Sequence, residues 1–316
     1  MIIIRSIGTM DIVDVADLDV IFLTYDEPKK EEFWIKIQNI APWAKRVDGV
    51  KGSDNAHKAA GEASDTDRFV LIDGDNLPDP DFFNVQLELD DKNKDCVFRW
   101  RARNEINGLM YGNGGISCWT KDFVANMRTH ENSDGSDDTA VEFCFDERYW
   151  AMHNCYSTTY PNQTAFQAWR AGFREGVKMC LDRGAKPSLN DFEKKVASRN
   201  FDNLLIWQNV GRDVDNGDWA IYGARLGTYL TMLQDWDYTK VQDFDELDKL
   251  WQEHKDVDPD AESNSIGVNL NKRLSLPMVD MTADQSYFFK HIMTAKHFNI
   301  KPMTREIDII RVIEGW

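Results

Sequence analysis

Short apolar runs alternate with helical patterns over the first 75 residues of the chain. Val20–Tyr25 and Phe69–Ile72 have the length and the apolar, β-branched content of buried strands, and Ala44–Val50 is a third predicted strand. Between them, 29–40 and 54–64 are predicted helices, each with apolar residues at helical spacing or an N-cap signal before it. The resulting β-α-β-α-β order, with short connections, predicts parallel strands joined by crossover helices.

The third of these strands ends abruptly in two acidic residues. Asp73 and Asp75 are separated only by Gly74, and Pro78 prevents the strand from continuing. In open α/β sheets, ligands bind at the carboxyl ends of the strands. Two close carboxylates at that position are electrostatically costly unless a cation binds there, although Asp-Gly is also typical of an ordinary turn.

The next part of the chain predicts a second group of strands. Cys96–Arg103 alternates, which predicts a strand with Arg99, Arg101 and Arg103 on one face. Tyr111–Trp119 is a glycine-rich turn that leads into another strand, and a plain hairpin would have the same pattern. The polar segment 129–138 is typical of a mobile loop.

A strong helix is predicted over Gln163–Arg183, with aromatic and apolar residues on one face. Arg170, Arg174 and Lys178 recur every four residues and form a basic stripe on the adjoining face. Such a stripe is either a solvated face or a surface that contacts the phosphates of a ligand or a polynucleotide.

After Pro187 the pattern is mostly helical, and residues 255–265 are predicted to be an exposed loop because they are acidic and contain Pro and Ser. We therefore expect two regions, a catalytic domain over 1–189 and a helical extension packed on it over 190–316. The predicted elements of the extension are helices near Ser188, at Trp219–Leu233, Phe244–His254 and Gln285–Lys296, and a strand at Ile307–Ile313.

Composition changes this picture little but limits the partners. The chain has 316 residues and a formal charge of −17, which is unfavourable for a nucleic-acid partner. Two stretches, 233–264 and 129–147, carry −8 and −7 and leave the remainder at about −2, so local basic patches are compatible with the sequence. Five Cys without a CxxC spacing predict neither a disulfide framework nor a zinc site. We found no signal peptide or membrane span and expect a soluble protein of the cytoplasm.

The chain resembles the nucleotide-sugar half of GT-A fold glycosyltransferases over residues 18–125. The resemblance is carried by Thr24-Tyr25-Asp26-Glu27 after the first strand, the two βα units, and Asp73-Gly74-Asp75. No GxGxxG and no GxxxxGK[ST] is present, which removes the main argument for NAD-type and P-loop proteins. The resemblance implies an α/β fold of GT-A (Rossmann-like) type, with a mostly parallel sheet flanked by helices.

The resemblance also implies a donor site for a UDP-sugar and a divalent cation, Mn²⁺ or Mg²⁺. Carboxylate oxygens are the ligands that these hard cations prefer, and the cation neutralises charge on the departing nucleoside diphosphate. The implied metal ligands are Asp73, Asp75 and His153, although a single His more often has a packing or surface role. The implied donor-binding residues are Thr24, Tyr25, Asp26, Lys51, Asp73, Gly114 and Arg170.

An inverting member of the fold places an acidic base near residue 146 to take the proton from the acceptor hydroxyl. Asp146 is the first candidate and Glu147 the second, with Asp137 and Asp138 after them. A retaining enzyme would need no such base, and the usual Glu-Asp pair is absent.

A narrower resemblance covers most of the chain and involves glycosyltransferases of tailed phages related to the T-even types. It is carried by Asp19–Pro28, Pro42–Gly52 with His57-Lys58, Phe166–Lys178 and Trp219–Gly227. It implies transfer of a pentose such as arabinose, or of glucose, to 5-hydroxymethylcytosine in double-stranded phage DNA, and hence a protein of the host-cell cytoplasm.

Other functions are compatible with the same residues. The acceptor could be a glycan or a protein rather than DNA. A sugar nucleotidyltransferase shares the strand-end carboxylate, but this chain lacks the glycine-rich basic loop typical of that class after the first strand. A structural protein that kept the fold without turnover is the non-enzymatic alternative.

Overall fold

The computed structural model describes residues 11–110, 114–127, 148–297 and 309–311. In chain order its strands and helices are β1 Asp11–Asp14, β2 Asp19–Thr24, α1 Lys30–Ile40, β3 Lys45–Asp48, α2 Ser53–Ala63, β4 Arg68–Asp73, β5 Asn76–Pro78, β6 Gln86–Leu89, β7 Val97–Asn104, β8 Ile116–Thr120, α3 Lys121–Asn126, β9 Tyr149–Thr159, α4 Ala165–Lys178, α5 Phe192–Lys195, α6 Ser198–Asn209, α7 Gly217–Leu233, α8 Phe244–His254, α9 Pro259–Leu274, α10 Ala283–His297 and β10 Ile309–Arg311. The β-α-β-α-β order predicted for the first 75 residues is confirmed, as β2-α1-β3-α2-β4.

The fold is α/β, but the expectation of a mostly parallel sheet was wrong. The main sheet has the order β10-β9-β7-β8-β4-β2-β3, and β5 pairs with β9 beside it. β2 pairs in parallel with β3 and β4, whereas β4 with β8 and β7 with β8 are antiparallel. The described residues between β7 and β8 form no crossover helix, and strands joined without a crossover run antiparallel, so this pair makes the sheet mixed.

The described residues divide into two compact units. The first comprises 11–103, the described part of 110–159, and β10; the second comprises 104–109 and 160–297. The sequence placed this boundary after residue 189, so that α4 belonged to the first region. In the structure α4 belongs to the second unit, where it packs extensively against α7.

Both faces of the sheet in the first unit are covered by helices. On one face, Ile21, Leu71 and Trp119 are buried with side chains of α2 and α3. On the other face, the ring of Phe22 stacks on that of Trp34 from α1, with 6.0 Å between the ring centroids. This burial on both faces is typical of a central parallel strand pair.

The second unit is helical, and one of its helices was missed. The acidic segment predicted to be a loop at 255–265 contains the start of α9. The Asp258 side chain accepts hydrogen bonds from the N–H groups of Asp260 and Ala261, and Pro259 occupies the first turn. Asp at the N-cap and Pro at the first position are helix-start signals, so the loop prediction was wrong. The helices predicted at Trp219–Leu233 and Phe244–His254 are confirmed as α7 and α8.

Glycines allow α4 and α7 to approach very closely. A Cβ atom added to Gly176 would lie 2.2 Å from the carbonyl oxygen of Ala224, and one added to Gly223 would lie 2.1 Å from that of Trp169. Because these contacts are with backbone atoms, any side chain would push the two helices apart. None of the helices that the structure describes has the length and apolar character needed to span a membrane.

Candidate functional site

The site predicted at the carboxyl end of β4 begins where the buried strand ends. Phe69 and Ile72 are fully buried, whereas Asp73 is half-buried at the last position of the strand. Leu23 of β2 is the neighbour of Asp73 in the parallel register, and the Asp73 N–H donates to the carbonyl of Gly115 at 3.0 Å. Asp73 is therefore held by both adjacent strands at the edge where ligands of α/β sheets bind.

The surroundings of Asp73 disfavour its charged form. Burial raises the pKa of Asp73 to about 7, and the charges of Asp75 and Glu27 add to the increase, while Arg99 opposes it. A divalent cation would remove the same electrostatic cost that keeps the proton on this carboxyl.

Asp75 lies on the far side of Gly74, immediately before β5. The Thr159 hydroxyl donates to its Oδ2 at 3.4 Å, because β5 pairs antiparallel with β9 and brings Thr159 opposite Asn76. Asp75 is half-buried, so part of the residue is exposed to solvent.

Glu27 is a member of this site that the sequence analysis did not select. A Cβ atom on Gly74 would lie 2.6 Å from the Glu27 carboxylate carbon, so the carboxylate occupies the space above that glycine. The Tyr25 N–H donates to Glu27 Oε2 at 2.8 Å. The signal was present as an acidic residue in the turn after β2, but its contact with Gly74 joins residues 47 positions apart.

The three residues expected to line a nucleoside pocket differ in their surroundings. The Thr24 side chain is 2% exposed, and its hydroxyl donates to Asp48 Oδ1 at 2.6 Å. Tyr25 is 47% exposed, and Asp26 is also exposed. Tyr25 and Asp26 are therefore accessible to a ligand, whereas the hydroxyl of Thr24 is already engaged within the sheet; donor contacts by all three stay predictions.

The glycine-rich segment reaches the site through Gly114 and Gly115. Gly115 has a φ of +98°, and a Cβ there would lie 1.5 Å from Asn76 Nδ2, so only glycine fits. Asn76 is fully buried, and its Nδ2 donates to the Gly114 carbonyl at 3.4 Å. A Cβ on Gly114 would meet nothing within 4 Å, which leaves open space beside the acidic residues.

Two other predicted donor-binding residues, Lys51 and Arg170, differ in their surroundings. Lys51 is exposed in the connection between β3 and α2. Arg170 belongs to the second unit, where its guanidinium stacks over the rings of Phe166 and Phe244 at 5.0 and 5.2 Å. Arg174 stacks over Phe244 as well, and burial lowers its pKa. The basic stripe on α4 thus packs against aromatic rings within its own unit rather than forming a fully solvated face.

The remaining candidates are four acidic residues and His153. Asp146 and Glu147, together with Asp137 and Asp138, fall outside the described residues. His153 lies on β9, and its buried Nδ1 has no hydrogen-bond partner among the residues that the structure describes. Within the described ranges, no three His, Cys, Asp or Glu side chains form a group that could hold a metal, so the structure does not bring His153 together with Asp73 and Asp75.

The acidic residues nevertheless fit a hard divalent cation. Asp73 and Asp75 supply carboxylate oxygens, and burial, together with the charges of Asp75 and Glu27, disfavours the charged form of Asp73. Mg²⁺, and Mn²⁺ with similar ligand preferences, is commonly bound by one or two carboxylates, with phosphate oxygens and water completing the coordination. Asp73 and Asp75 would hold such a cation together with a phosphate-bearing ligand.

Compared with known proteins, the chain matches no family model, no curated protein and no solved structure.

The raised pKa of Asp73 leads to a prediction for the cation-free protein. The folded pKa of about 7 exceeds the ordinary value of 3.8. Between these two pH values, the folded state therefore keeps on Asp73 a proton that the unfolded state has released. Raising the pH through this window therefore lowers the free energy of unfolding. Asp73→Asn removes this loss. We expect the unfolding free energy of the variant, minus that of the wild type, to be larger at pH 8 than at pH 5. Urea unfolding in the presence of EDTA measures this difference. A stability difference independent of pH would contradict the assignment.

Proposed function

We propose that the protein is a divalent-cation-dependent glycosyltransferase that takes its sugar from a UDP-sugar. The observation that carries the proposal is the position of Asp73 and Asp75 at the carboxyl end of a buried central strand, beside an open glycine segment. The β2-α1-β3-α2-β4 order and the sequence resemblance to GT-A enzymes support it. The mixed sheet is compatible with the proposal, since the strands that carry the donor site, β2, β3 and β4, are the parallel ones.

The chemistry assigns a role to each part of the site. When bound, Mn²⁺ or Mg²⁺ would neutralise the charge that develops on the departing diphosphate. Asp73 and Asp75 would hold the cation and orient the diphosphate, with Thr159 fixing the carboxylate of Asp75. Gly114, with open space around it, would let the donor sugar approach the backbone.

For the acceptor we propose 5-hydroxymethylcytosine in double-stranded DNA, following the resemblance to phage enzymes. Three basic residues of the second unit are exposed and would contact phosphates: Lys194, Lys195 and Arg199. The charge of −17 is unfavourable for DNA, so we expect only a few contacts and a modest affinity. Each phosphate neutralised would contribute roughly 0.9 to the slope of log affinity against log salt.

The proposal is tested with a panel of UDP-sugars, including UDP-glucose and UDP-arabinose, in the presence of Mn²⁺. We expect transfer to hydroxymethylcytosine DNA and none to unmodified DNA, detected as a mass increase of one sugar per modified base. Transfer to a glycan or a protein alone would keep the glycosyltransferase and discard the DNA acceptor. Synthesis of a nucleotide-sugar from a sugar phosphate would favour the nucleotidyltransferase instead.

Binding provides a second prediction that does not depend on the acceptor. We expect UDP with Mn²⁺ to raise the melting temperature of the protein, and UDP with EDTA to raise it much less, because the diphosphate and the carboxylates share the cation. Ligand binding to the folded state alone stabilises it by about 2.7 kcal/mol at a hundred times Kd. An equal shift with EDTA would show that the nucleotide site does not use a cation.

A further inference from the structure

The arginines of β7 lie at the same edge of the sheet as the acidic pair. Arg99 is opposite Ser117 on β8, and Ser117 is opposite Leu71 on β4. Both β4 and β7 run antiparallel to β8, so they are parallel to each other. Two residues further along each strand, Arg101 is therefore level with Asp73. Because side chains alternate along a strand, the two residues also share one face of the sheet.

The charges of these arginines act on the groups around them. Burial raises the pKa of Asp73, and the charge of Arg99 opposes that increase. Burial also raises the pKa of the Cys155 thiol on β9, and the charges of Arg103 and Arg101 oppose it. The three arginines, here called the arginine row, therefore form a positive strip beside the predicted donor site.

Arg101 is a member of the row that has no partner of its own. Within the part of the chain that the structure describes, its side chain forms no hydrogen bond and no ion pair. Arg101 and Arg103 are both half-buried, so each is partly exposed to solvent. A guanidinium group has five N–H donors in a fixed planar arrangement. Those of Arg101 are available to an anionic ligand.

The distance between the row and the acidic pair indicates a second ligand. Two strand spacings of about 4.8 Å separate β7 from β4, so the row lies about 10 Å from the acidic pair across the sheet. Arg103 lies two residues, or about 7 Å, further along the strand direction than Asp73. Arg103 is therefore set apart from a diphosphate that is held at the acidic pair. The anion that the row would meet belongs to the acceptor.

The spacing within the row favours a polynucleotide as that acceptor. Alternate residues of a strand are about 7 Å apart, which is close to the separation of successive phosphates along one DNA strand. Guanidinium groups bind phosphate oxygens through paired N–H donors, which gives these contacts both strength and direction. Two neighbouring arginines of the row can therefore contact two successive phosphates.

We infer that Arg101 and Arg103 bind successive phosphates of the acceptor DNA and so hold the DNA beside the donor site. The inference rests on the proposed function, because it takes DNA as the acceptor. It adds phosphate contacts in the first unit to those expected in the second. Arg99 receives no phosphate contact, because its guanidinium lies over the ring of Tyr149 at 5.1 Å from the centroid.

Duplex binding in EDTA, without a nucleotide, tests the inference independently of the cation. Fluorescence anisotropy of a labelled hydroxymethylcytosine duplex at several salt concentrations gives the slope of log affinity against log salt. Each phosphate contact contributes roughly 0.9 to the magnitude of that slope. We expect the magnitude to fall by roughly 0.9 in Arg101→Gln and in Arg103→Gln, and by roughly 1.8 in the double variant. An unmodified duplex should show the same changes, because phosphate contacts carry no sequence information.

Two further variants separate phosphate contacts from general effects of charge and folding. Lys36→Gln is the matched control, because it removes one positive charge from an exposed side chain on α1. α1 covers the face of the sheet opposite to that of Leu71, so the slope should equal that of the wild type. Arg101→Lys keeps the charge and should keep most of the slope. Mn²⁺-dependent UDP binding by each variant reports that the first unit is folded.

Sugar transfer gives a second measurement of the same contacts. Phosphate contacts are made equally in the ground state and in the transition state, and loss of such uniform binding raises KM without lowering kcat. With saturating donor, Arg101→Gln and Arg103→Gln should therefore raise the KM for the duplex severalfold and leave kcat nearly unchanged. A fall in kcat with an unchanged KM would contradict a role in holding the DNA.

The outcomes separate the inference from the proposed function. Duplex binding with an unchanged salt slope in both glutamine variants would overturn the inference and leave DNA as the acceptor. Mn²⁺-dependent UDP binding without duplex binding at any salt concentration would remove the DNA acceptor and the inference, and leave the glycosyltransferase. A sulfated glycan that binds more tightly than the duplex, with the same losses in the variants, would assign the row to an anionic glycan instead. Absence of UDP binding would remove the donor site, while the salt slopes would still decide the role of the row.

Discussion

Replacing Asp75 with Ala should lower sugar transfer by about a thousandfold or more and abolish Mn²⁺-dependent UDP binding. Loss of a group that stabilises charge in the transition state through a cation costs about 4 kcal/mol, equivalent to about three powers of ten in rate. Asp75 is half-buried, and its carboxylate accepts a long hydrogen bond from Thr159. Substitutions of partly exposed polar residues usually change the free energy of unfolding by no more than about 0.5 kcal/mol, and we expect the same here.

The measurement is turnover with the best donor, together with calorimetric UDP binding and urea unfolding of the same preparation. Asp91→Ala is the matched control, because Asp91 is an exposed acid of the same unit that pairs with Lys94. We expect this control to retain both activity and binding. Undiminished Mn²⁺-dependent UDP binding in a folded Asp75→Ala protein would remove the acidic pair from the donor site.

The local pattern of the sequence was sufficient for the first part of the fold. Residues such as Val20 and Phe69 occur in short runs that are apolar on both faces, and such runs predict buried parallel strands without knowledge of their neighbours. The position of Asp73 at a strand end follows from the same run. The pairing of β4 with β8 did not follow, because strand order is decided by long-range contacts that the local pattern does not contain.

Glu27 illustrates the same limit within the site. The position of its carboxylate in the site depends on two conditions. Gly74 has no side chain, and the turn folds Glu27 back so that the Tyr25 N–H donates to the carboxylate. Neither condition has a signature in the sequence around residue 27. Glu27 was visible as an acidic residue after β2, but its contact with Gly74, 47 positions further along the chain, was not.

The basic stripe on α4 was predicted as a face, but its environment was not. Helical spacing correctly groups Arg170 and Arg174 on one side of the helix. Phe244, over which both guanidinium groups stack, belongs to α8 and lies some 70 positions later. Guanidinium groups stack favourably on aromatic rings, and this contact distinguishes a packed stripe from a solvated one.

Replacing Gly223 with Ala should destabilise the second unit by about 3 kcal/mol, the upper end of the usual cost of overpacking. In most helices this change is favourable by about 1 kcal/mol, because Ala has the higher helix propensity. Here the added Cβ would lie 2.1 Å from the carbonyl oxygen of Trp169. That atom belongs to the backbone of α4 and cannot rotate away, so the helices must separate.

The separation would extend beyond one contact. Gly176 on α4 faces Ala224 on α7 in the same way, with 2.2 Å between the added Cβ position and the carbonyl oxygen. Trp169 and Phe173 are fully buried beside this crossing, so moving the helices apart would open space around both rings. Loss of such packing is why the penalty should exceed the gain in helix propensity.

Urea unfolding followed by Trp fluorescence measures the effect, and Gly184→Ala is the control. Gly184 lies in the same unit with a φ of +83°, and its added Cβ would meet nothing within 4 Å. In that variant the free energy of unfolding should fall by only about 1 kcal/mol, which is the cost of a left-handed backbone conformation for an L-residue. The two substitutions add the same methyl group, so a larger loss for Gly223→Ala isolates the collision between helices. Equal losses would mean that α4 and α7 do not need their glycines to pack.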